Sequence, residues 1–257
     1  MAKHYATKII SADSRQCFKE LNIGVAKPSP EELSDVPHYF INSHSIHQLV
    51  NAAVFEQYAL EKVNEIFTDN EIAIMVGGTG LYVKTFCSGI DEVPVTAPGI
   101  RENIAVDYQQ KGLEWLQEEV RKIDPLYYSA GETQNPRRLM RALEVKLSTG
   151  KSIIDFQTQK KISRNFEIIK IGLELPREEL YQRINKRVEV MIQDGLLDEV
   201  KNLEAVQGLN ALQTVGYREF FNHLKGEISL SKTMEAIKIN TRHYAKRQMT
   251  WFKRHRN

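Results

Sequence analysis

Ile72-Ala73-Ile74-Met75-Val76-Gly77-Gly78-Thr79-Gly80-Leu81-Tyr82 decides the class of fold. A short apolar, β-branched run ends in a glycine-rich turn, and a helical pattern opens straight after it. That is the signature of a strand in a mostly parallel α/β sheet. Two further stretches read the same way. Thr7-Lys8-Ile9-Ile10-Ser11-Ala12 leads into Asp13, and Ile168-Ile169-Lys170-Ile171-Gly172-Leu173 leads towards Pro176. Pro176 suits a first helical turn, where its missing N–H is no loss, and Glu178 and Glu179 suit the positive helix start. In open α/β sheets ligands collect beyond the carboxyl ends of the strands. Asp13, the glycine cluster and whatever follows Leu175 are therefore candidates to share one crevice.

Between Pro94 and Ile162 the pattern is helical, with aromatic positions such as Trp115, Tyr127 and Tyr128 and no strand signal. The sequence thus predicts a discontinuous α/β core over residues 1–93 and 164–257, interrupted by a helical insertion at 94–163. From Glu178 onward the chain is helical again, with breaks near Gly195, Gly208, Gly216 and Gly226.

With 257 residues, 42% hydrophobic and 26% charged, the composition is that of a globular protein that folds alone. No apolar run approaches the roughly 20 residues that span a bilayer. Met1 to Ala6 carry no secretory signal pattern, and Cys17 and Cys87 are the only cysteines, which together point to a reducing cytoplasm. A net charge of +2 does not announce a polyanion partner. The distribution does: Arg242, Lys246, Arg247, Lys253, Arg254 and Arg256 crowd the C-terminus beside His243 and His255.

Each candidate motif has a plain reading and a chemical one. Asp13, in Ser11-Ala12-Asp13-Ser14-Arg15-Gln16, either caps the next turn or accepts a proton from a substrate. Gly77 to Gly80 is either a tight strand-to-helix turn or a set of N–H groups facing a ligand. It lacks the Gly-Lys-Ser/Thr ending of a phosphate-cradling loop. Arg183 and Arg187, four apart on one helix, either line a solvated face or grip a diphosphate together. Arg137, Arg138 and Arg141 stand at one helix start while Leu139, Ala142 and Leu143 keep the apolar stripe, so the outer face is basic and fit for phosphate. Tyr244 to Arg254 interleaves cations with aromatics, as suits RNA phosphates and unstacked bases, although Trp251 fits core packing better. His38, His44 and His47 lack the spacing of a zinc site.

In order along the chain these motifs resemble those of the tRNA dimethylallyltransferases, also called tRNA isopentenyltransferases or IPP transferases. The matching series is Ile10 to Gln16, Ile23 to Pro28, Val36-Pro37-His38, Val76 to Tyr82, Arg138 to Val145, Gly216 to Glu219 and Lys246 to Phe252. The resemblance implies a P-loop NTPase-like α/β fold and a reaction. In it, a dimethylallyl group moves from dimethylallyl diphosphate, with Mg2+, to N6 of the adenosine just 3′ of the anticodon (tRNA position 37) in tRNAs reading UNN codons. It makes Asp13 the general base and gives the diphosphate to Arg183 and Arg187. It places Ser14, Arg15, Gln16, Lys27, Thr79, Arg137, Arg138, Leu139, Met140, Arg141, Lys246, Arg247, Gln248 and Trp251 at positions that touch the tRNA anticodon stem-loop. A cytoplasmic monomer is implied.

One departure accompanies the matches. Family members carry a strand and a Gly-x-Thr-Gly-x-Gly-Lys-Ser/Thr loop ahead of the Asp strand, and Met1 to Thr7 correspond only to the end of the helix after that loop. The expectation is an N-terminally truncated sequence whose sheet lacks its first strand and P-loop, with weak or no turnover and lowered stability. The competing readings are an adenylate isopentenyltransferase acting on free nucleotide, a non-catalytic tRNA-binding remnant, and a nucleotide kinase related by fold.

Overall fold

The computed structural model describes residues 1–94, 96–97, 99–158 and 162–255; Arg256 of the basic C-terminus lies outside them. The chain divides into two compact units, Met1–Gly89 with Ser163–Asn257, and Ile90–Ile162.

The first unit is organised by a parallel sheet of β1 (Ile9–Ser11), β2 (His38–Tyr39) and β3 (Ile74–Val76), in the order β2-β1-β3. Ile9 lies opposite His38 on one side and Ile74 on the other, and Ser11 lies opposite Val76. α1 (Pro30–Asp35) leads to β2, α2 (Ala52–Ile66) leads to β3, and α3 (Gly80–Ser88) starts four residues beyond β3. Asn51 starts α2 by accepting the N–H groups of Ala53 and Val54. Ala52, Phe55, Ala59, Val63 and Ile66 then fall on one helical face and are buried. Phe55 is the centre of an aromatic cluster: Tyr82 of α3 stacks on it at 4.4 Å and Phe40 meets it edge-on at 5.0 Å.

The second unit consists of α4 (Ile100–Ile123), α5 (Pro125–Ala130), α6 (Pro136–Thr149) and a short 3-10 turn at Ile153–Phe156. α4 bends at Gly112, whose φ of 80° and ψ of −171° suit glycine. Its core gathers Ile104, Leu116, Val120, Tyr127, Leu139, Ala142 and Leu143. Two buried acids are paired there: Asp124 caps α5 and accepts the Ser152 hydroxyl at 2.8 Å, while Glu144 accepts Thr96 and meets Arg141 at 3.2 Å.

The first unit resumes with α7 (Arg177–Gln193), α8 (Leu196–Lys201), α9 (Tyr217–Leu224) and the long α10 (Leu230–Arg254). Leu196, Leu212, Tyr217 and Phe220 are fully buried beneath them. Arg164 ties the chain's return to α3, donating to the carbonyls of Phe86 and Thr85 and pairing with Glu56.

The expected strand at Ile168–Leu173 does not form; among the described residues the sheet ends at β3. Ile169, Ile171 and Leu173 are 79%, 68% and 91% exposed. β-branched composition favours extended backbone, but a strand also needs a neighbour for its N–H and C=O groups. His38–Tyr39, which carries no strand signal in the sequence, supplies the third strand instead, because β1 offers it a pairing edge that a two-residue pattern cannot reveal.

Two stability outcomes follow. Ile169→Ser with Leu173→Ser should leave urea stability within about 0.5 kcal/mol of the parent, whereas Phe55→Ala should cost about 3–5 kcal/mol. A large loss from the double variant would mean that the segment is packed. A Cβ at Gly77 would lie 2.4 Å from the Ala12 carbonyl oxygen, while one at Gly172 meets nothing within 4 Å. Gly77→Ala is therefore expected to destabilise by roughly 2 kcal/mol or more and Gly172→Ala by almost nothing; equal unfolding midpoints would refute the close approach.

Candidate active site

β1 and β3 end side by side, and the loops that leave them are laced together. The Ala12 N–H donates to the Val76 carbonyl at 2.7 Å, extending the ladder one residue past β1. The Ala12 carbonyl accepts the Thr79 N–H at 3.1 Å, and the Thr79 hydroxyl oxygen accepts the Ser14 N–H at 3.1 Å. Between them Asp13 turns the chain: its Oδ1 accepts the N–H groups of Arg15 at 2.7 Å and Gln16 at 3.1 Å. This side-chain turn leaves Oδ2 with no hydrogen bond from the described residues.

α10 lies over the same loops with one stripe of side chains, Tyr244, Gln248, Trp251 and His255. Gln248 Nε2 donates to the Gly78 carbonyl at 2.9 Å. The Trp251 indole covers Gly80, where a Cβ would come within 2.5 Å of the ring, and stacks on His255 at 4.1 Å. Lys246 and Arg247 are exposed, Arg247 lying over the Tyr244 ring at 5.7 Å.

Electrostatics identify Asp13 as the centre of the crevice. Burial raises the Tyr244 hydroxyl pKa, and the Asp13 charge adds to the shift while hydrogen bonding with Thr79 opposes it. Burial, reinforced by Asp13, pushes the Cys17 thiol up to about 12, so it stays protonated and inert. Burial lowers the pKa of Arg187, and Asp13 opposes that shift. Arg187 is nevertheless exposed to solvent. Arg15 is likewise lowered by burial, with Tyr82 and Asp13 opposing, and donates to the Asn210 carbonyl at 3.1 Å. Arg183 stands apart: its side chain is 66% exposed and pairs with Glu179 at 2.6 Å. The structure thus joins Arg187 to Asp13 electrostatically and leaves Arg183 on the outer turn of α7.

Other expected residues are already engaged. Gln16 donates to the Val25 and Ala26 carbonyls and accepts the Ser11 hydroxyl. Lys27 Nζ donates to the Phe18 carbonyl at 2.5 Å and to the side chains of Asn22 and Asn42. In the second unit, the Asn135 side chain caps α6 through Arg137 and Arg138. Arg137 and Met140 line an open recess of about 600 Å³ with Tyr108, Glu132 and Gln134. Leu139 is fully buried in that unit's core. Its side chain serves packing there. Gly150-Lys151-Ser152 is spelled like the end of a phosphate loop, yet it follows a helix rather than a strand. Its Ser152 hydroxyl is spent on Asp124 and on capping the next turn.

Sequence reasoning gave Tyr244 no role beside Asp13. The available signal was its spacing of four and seven from Gln248 and Trp251, which puts all three on one face. As for a metal, no three His, Cys, Asp or Glu side chains converge among the described residues. They form no protein cage for a metal ion.

Residues 16–255 match the family described as IPP transferase. The chain is 46% identical to the tRNA dimethylallyltransferase of Christiangramia forsetii over 254 residues, 99% of this chain and 84% of that one. Against the tRNA dimethylallyltransferase of Flavobacterium psychrophilum it is 48% identical over 263 residues, covering 100% and 86%. The crystal structure of full-length tRNA isopentenylpyrophosphate transferase from Bacillus halodurans superposes with a TM-score of 0.68 at 33% identity, covering 98% of this chain and 80% of that one. A eukaryotic dimethylallyltransferase captured acting on tRNA gives 0.79 at 25% identity, covering 98% and 64%. A sheet whose strand ends converge on Asp13, likenesses of this extent and a family match over nearly the whole length lead to one statement: the chain belongs to the IPP transferase family, whose members are tRNA prenyltransferases.

Proposed function

We propose that the protein transfers a dimethylallyl group from dimethylallyl diphosphate to N6 of the adenosine 3′ of the anticodon, in tRNAs reading codons that begin with uridine. The observation that supports this reading is the place of Asp13 at the adjacent ends of β1 and β3, its Oδ1 held by two backbone N–H groups and its charge acting on the Arg187 guanidinium. With Oδ1 held by two backbone N–H groups, Asp13 Oδ2 takes the proton of the exocyclic amine. The amine nitrogen forms a bond to the allylic carbon, and the bond from that carbon to the diphosphate oxygen breaks. Arg187 neutralises the charge that grows on the departing diphosphate. Arg183 joins it once its exposed pairing with Glu179, worth under about 1 kcal/mol, opens.

The adenine must leave its stack to reach Asp13. Lys246 and Arg247 on α10, and Arg137, Arg138 and Met140 in the second unit, are the groups we assign to the stem-loop. Magnesium would enter with the diphosphate, since this cation usually binds through substrate phosphates and one or two carboxylates. Every group named belongs to one copy of the chain, so a monomer suffices. No helix among the described residues is long and apolar enough to cross a membrane, and the cytoplasm is the setting we infer.

Single-turnover assays, with protein in excess over labelled dimethylallyl diphosphate and an anticodon stem-loop, detect even slow transfer. Asp13→Asn should slow product formation by about 100-fold or more and Arg187→Ala by at least tenfold, with Arg183→Ala milder than either. Parental rates in Asp13→Asn would sink the assignment of the base. Preferential labelling of free AMP over the stem-loop would replace the tRNA reading by one of nucleotide prenylation.

A further inference from the structure

The turn that holds Asp13 is itself held from a distance. Asn22, Ile23 and Gly24 open a 3-10 turn at Ile23–Val25 that has no side-chain cap of its own at Asn22. Their three successive N–H groups instead converge on Glu199 of α8, at 3.0 and 2.8 Å to Oε2 and 3.0 Å to Oε1. The Tyr217 hydroxyl of α9 donates to the same Oε1 at 2.5 Å. Four donors fill the carboxylate, and the fully buried Tyr217 ring lies so close that a Cβ on Gly24 would sit 2.6 Å from it.

What this clamp fixes is the exit of the turn. Ala26 adopts φ 46° and ψ 59°, a left-handed conformation that L-residues avoid unless their surroundings impose it. In that conformation the Ala26 carbonyl accepts Gln16 Nε2 at 2.9 Å, and the Val25 carbonyl accepts it at 3.3 Å. The Gln16 N–H is in turn one of the two that hold Asp13 Oδ1. Lys27 closes the same turn, and the Glu199 charge opposes the lowering of its pKa by burial.

We propose that Glu199, with Tyr217, is a positioning residue for Asp13: the carboxylate clamps residues 22–24 so that the Val25 and Ala26 carbonyls orient Gln16, which orients the base. The linkage itself rests on these contacts alone; only its kinetic consequence rests on the reading of Asp13 given above. Glu199→Gln is the sharpest probe because it keeps the shape. An amide offers one acceptor oxygen and turns its NH2 towards at least one of the backbone N–H groups, leaving donor facing donor.

Amide hydrogen exchange of the full chain reads the linkage directly. In Glu199→Gln, exchange at residues 22–24 should quicken about tenfold or more, and the Arg15 and Gln16 amides should quicken with it, while Ile10 and Leu139 keep parental protection. Faster exchange at 22–24 with parental protection at Arg15 and Gln16 would overturn the proposal. In single-turnover assays the maximal rate should fall about tenfold with the half-saturating stem-loop concentration within twofold, because orientation rather than tRNA affinity is lost. An unchanged maximal rate would equally overturn it. Should Glu199→Gln lose protection throughout, Tyr217→Phe, which removes one donor and keeps the ring, carries the same two measurements with smaller changes in the same direction. Absence of transfer by the parent chain would fault the functional reading alone, and the exchange pattern would still decide the linkage.

Discussion

The peptide at Ala12 and the loop after β3 approach each other as closely as two backbones can, and the site depends on that contact. The Ala12 N–H and C=O reach Val76 and Thr79 on either side of Gly77, whose missing Cβ makes room. Asp13 follows at once, so its place is set by peptide hydrogen bonds rather than by a flexible side chain. The same loop gives α10 its seat, since Gly78 offers a carbonyl to Gln248 and Gly80 offers a flat floor to Trp251. Three glycines in four residues thus do three different jobs, none of which needs a bound phosphate.

Much of this was legible in the sequence because it is written locally. A β-branched run followed by a turn marked β1 and β3, and the acid placed directly after one of them marked the crevice. The helices over residues 100–149 were equally plain from their periodicity. What failed was whatever depends on a partner far along the chain. Ile168–Leu173 has the composition of a strand yet pairs with no strand among the described residues, while His38–Tyr39 has almost no pattern and pairs with β1. No sequence motif singled out Glu199, because its three backbone donors lie about 175 positions away.

The division of labour between the two arginines of α7 shows the same limit. Spacing of four put Arg183 and Arg187 on one face, which was correct for a helix. It could not say which of them the Asp13 charge acts on. Burial lowers the Arg187 pKa and Asp13 opposes that shift, whereas Arg183 is exposed and pairs with Glu179.

This contrast also bears on how a cation and a carboxylate can act on each other and both remain unpaired. Had Asp13 and Arg187 met in a direct ion pair, each would have been neutralised by the other, and any substrate would have had to break that pair first. Instead Oδ1 is satisfied by backbone N–H groups that cannot leave, and no ion pair between Asp13 and Arg187 is formed among the described residues. The charge of Asp13 acts on Arg187 in opposition to the effect of burial. In the reaction proposed above, Asp13 is the proton acceptor and Arg187 the anion partner, for ligands that bring the opposite demands, an amine with a proton to lose and a leaving group with charge to gain. That pairing of demands is what distinguishes group transfer from simple anion binding, and it is why the backbone turn at Asp13, with everything that braces it, matters more to the chemistry than the number of cations nearby.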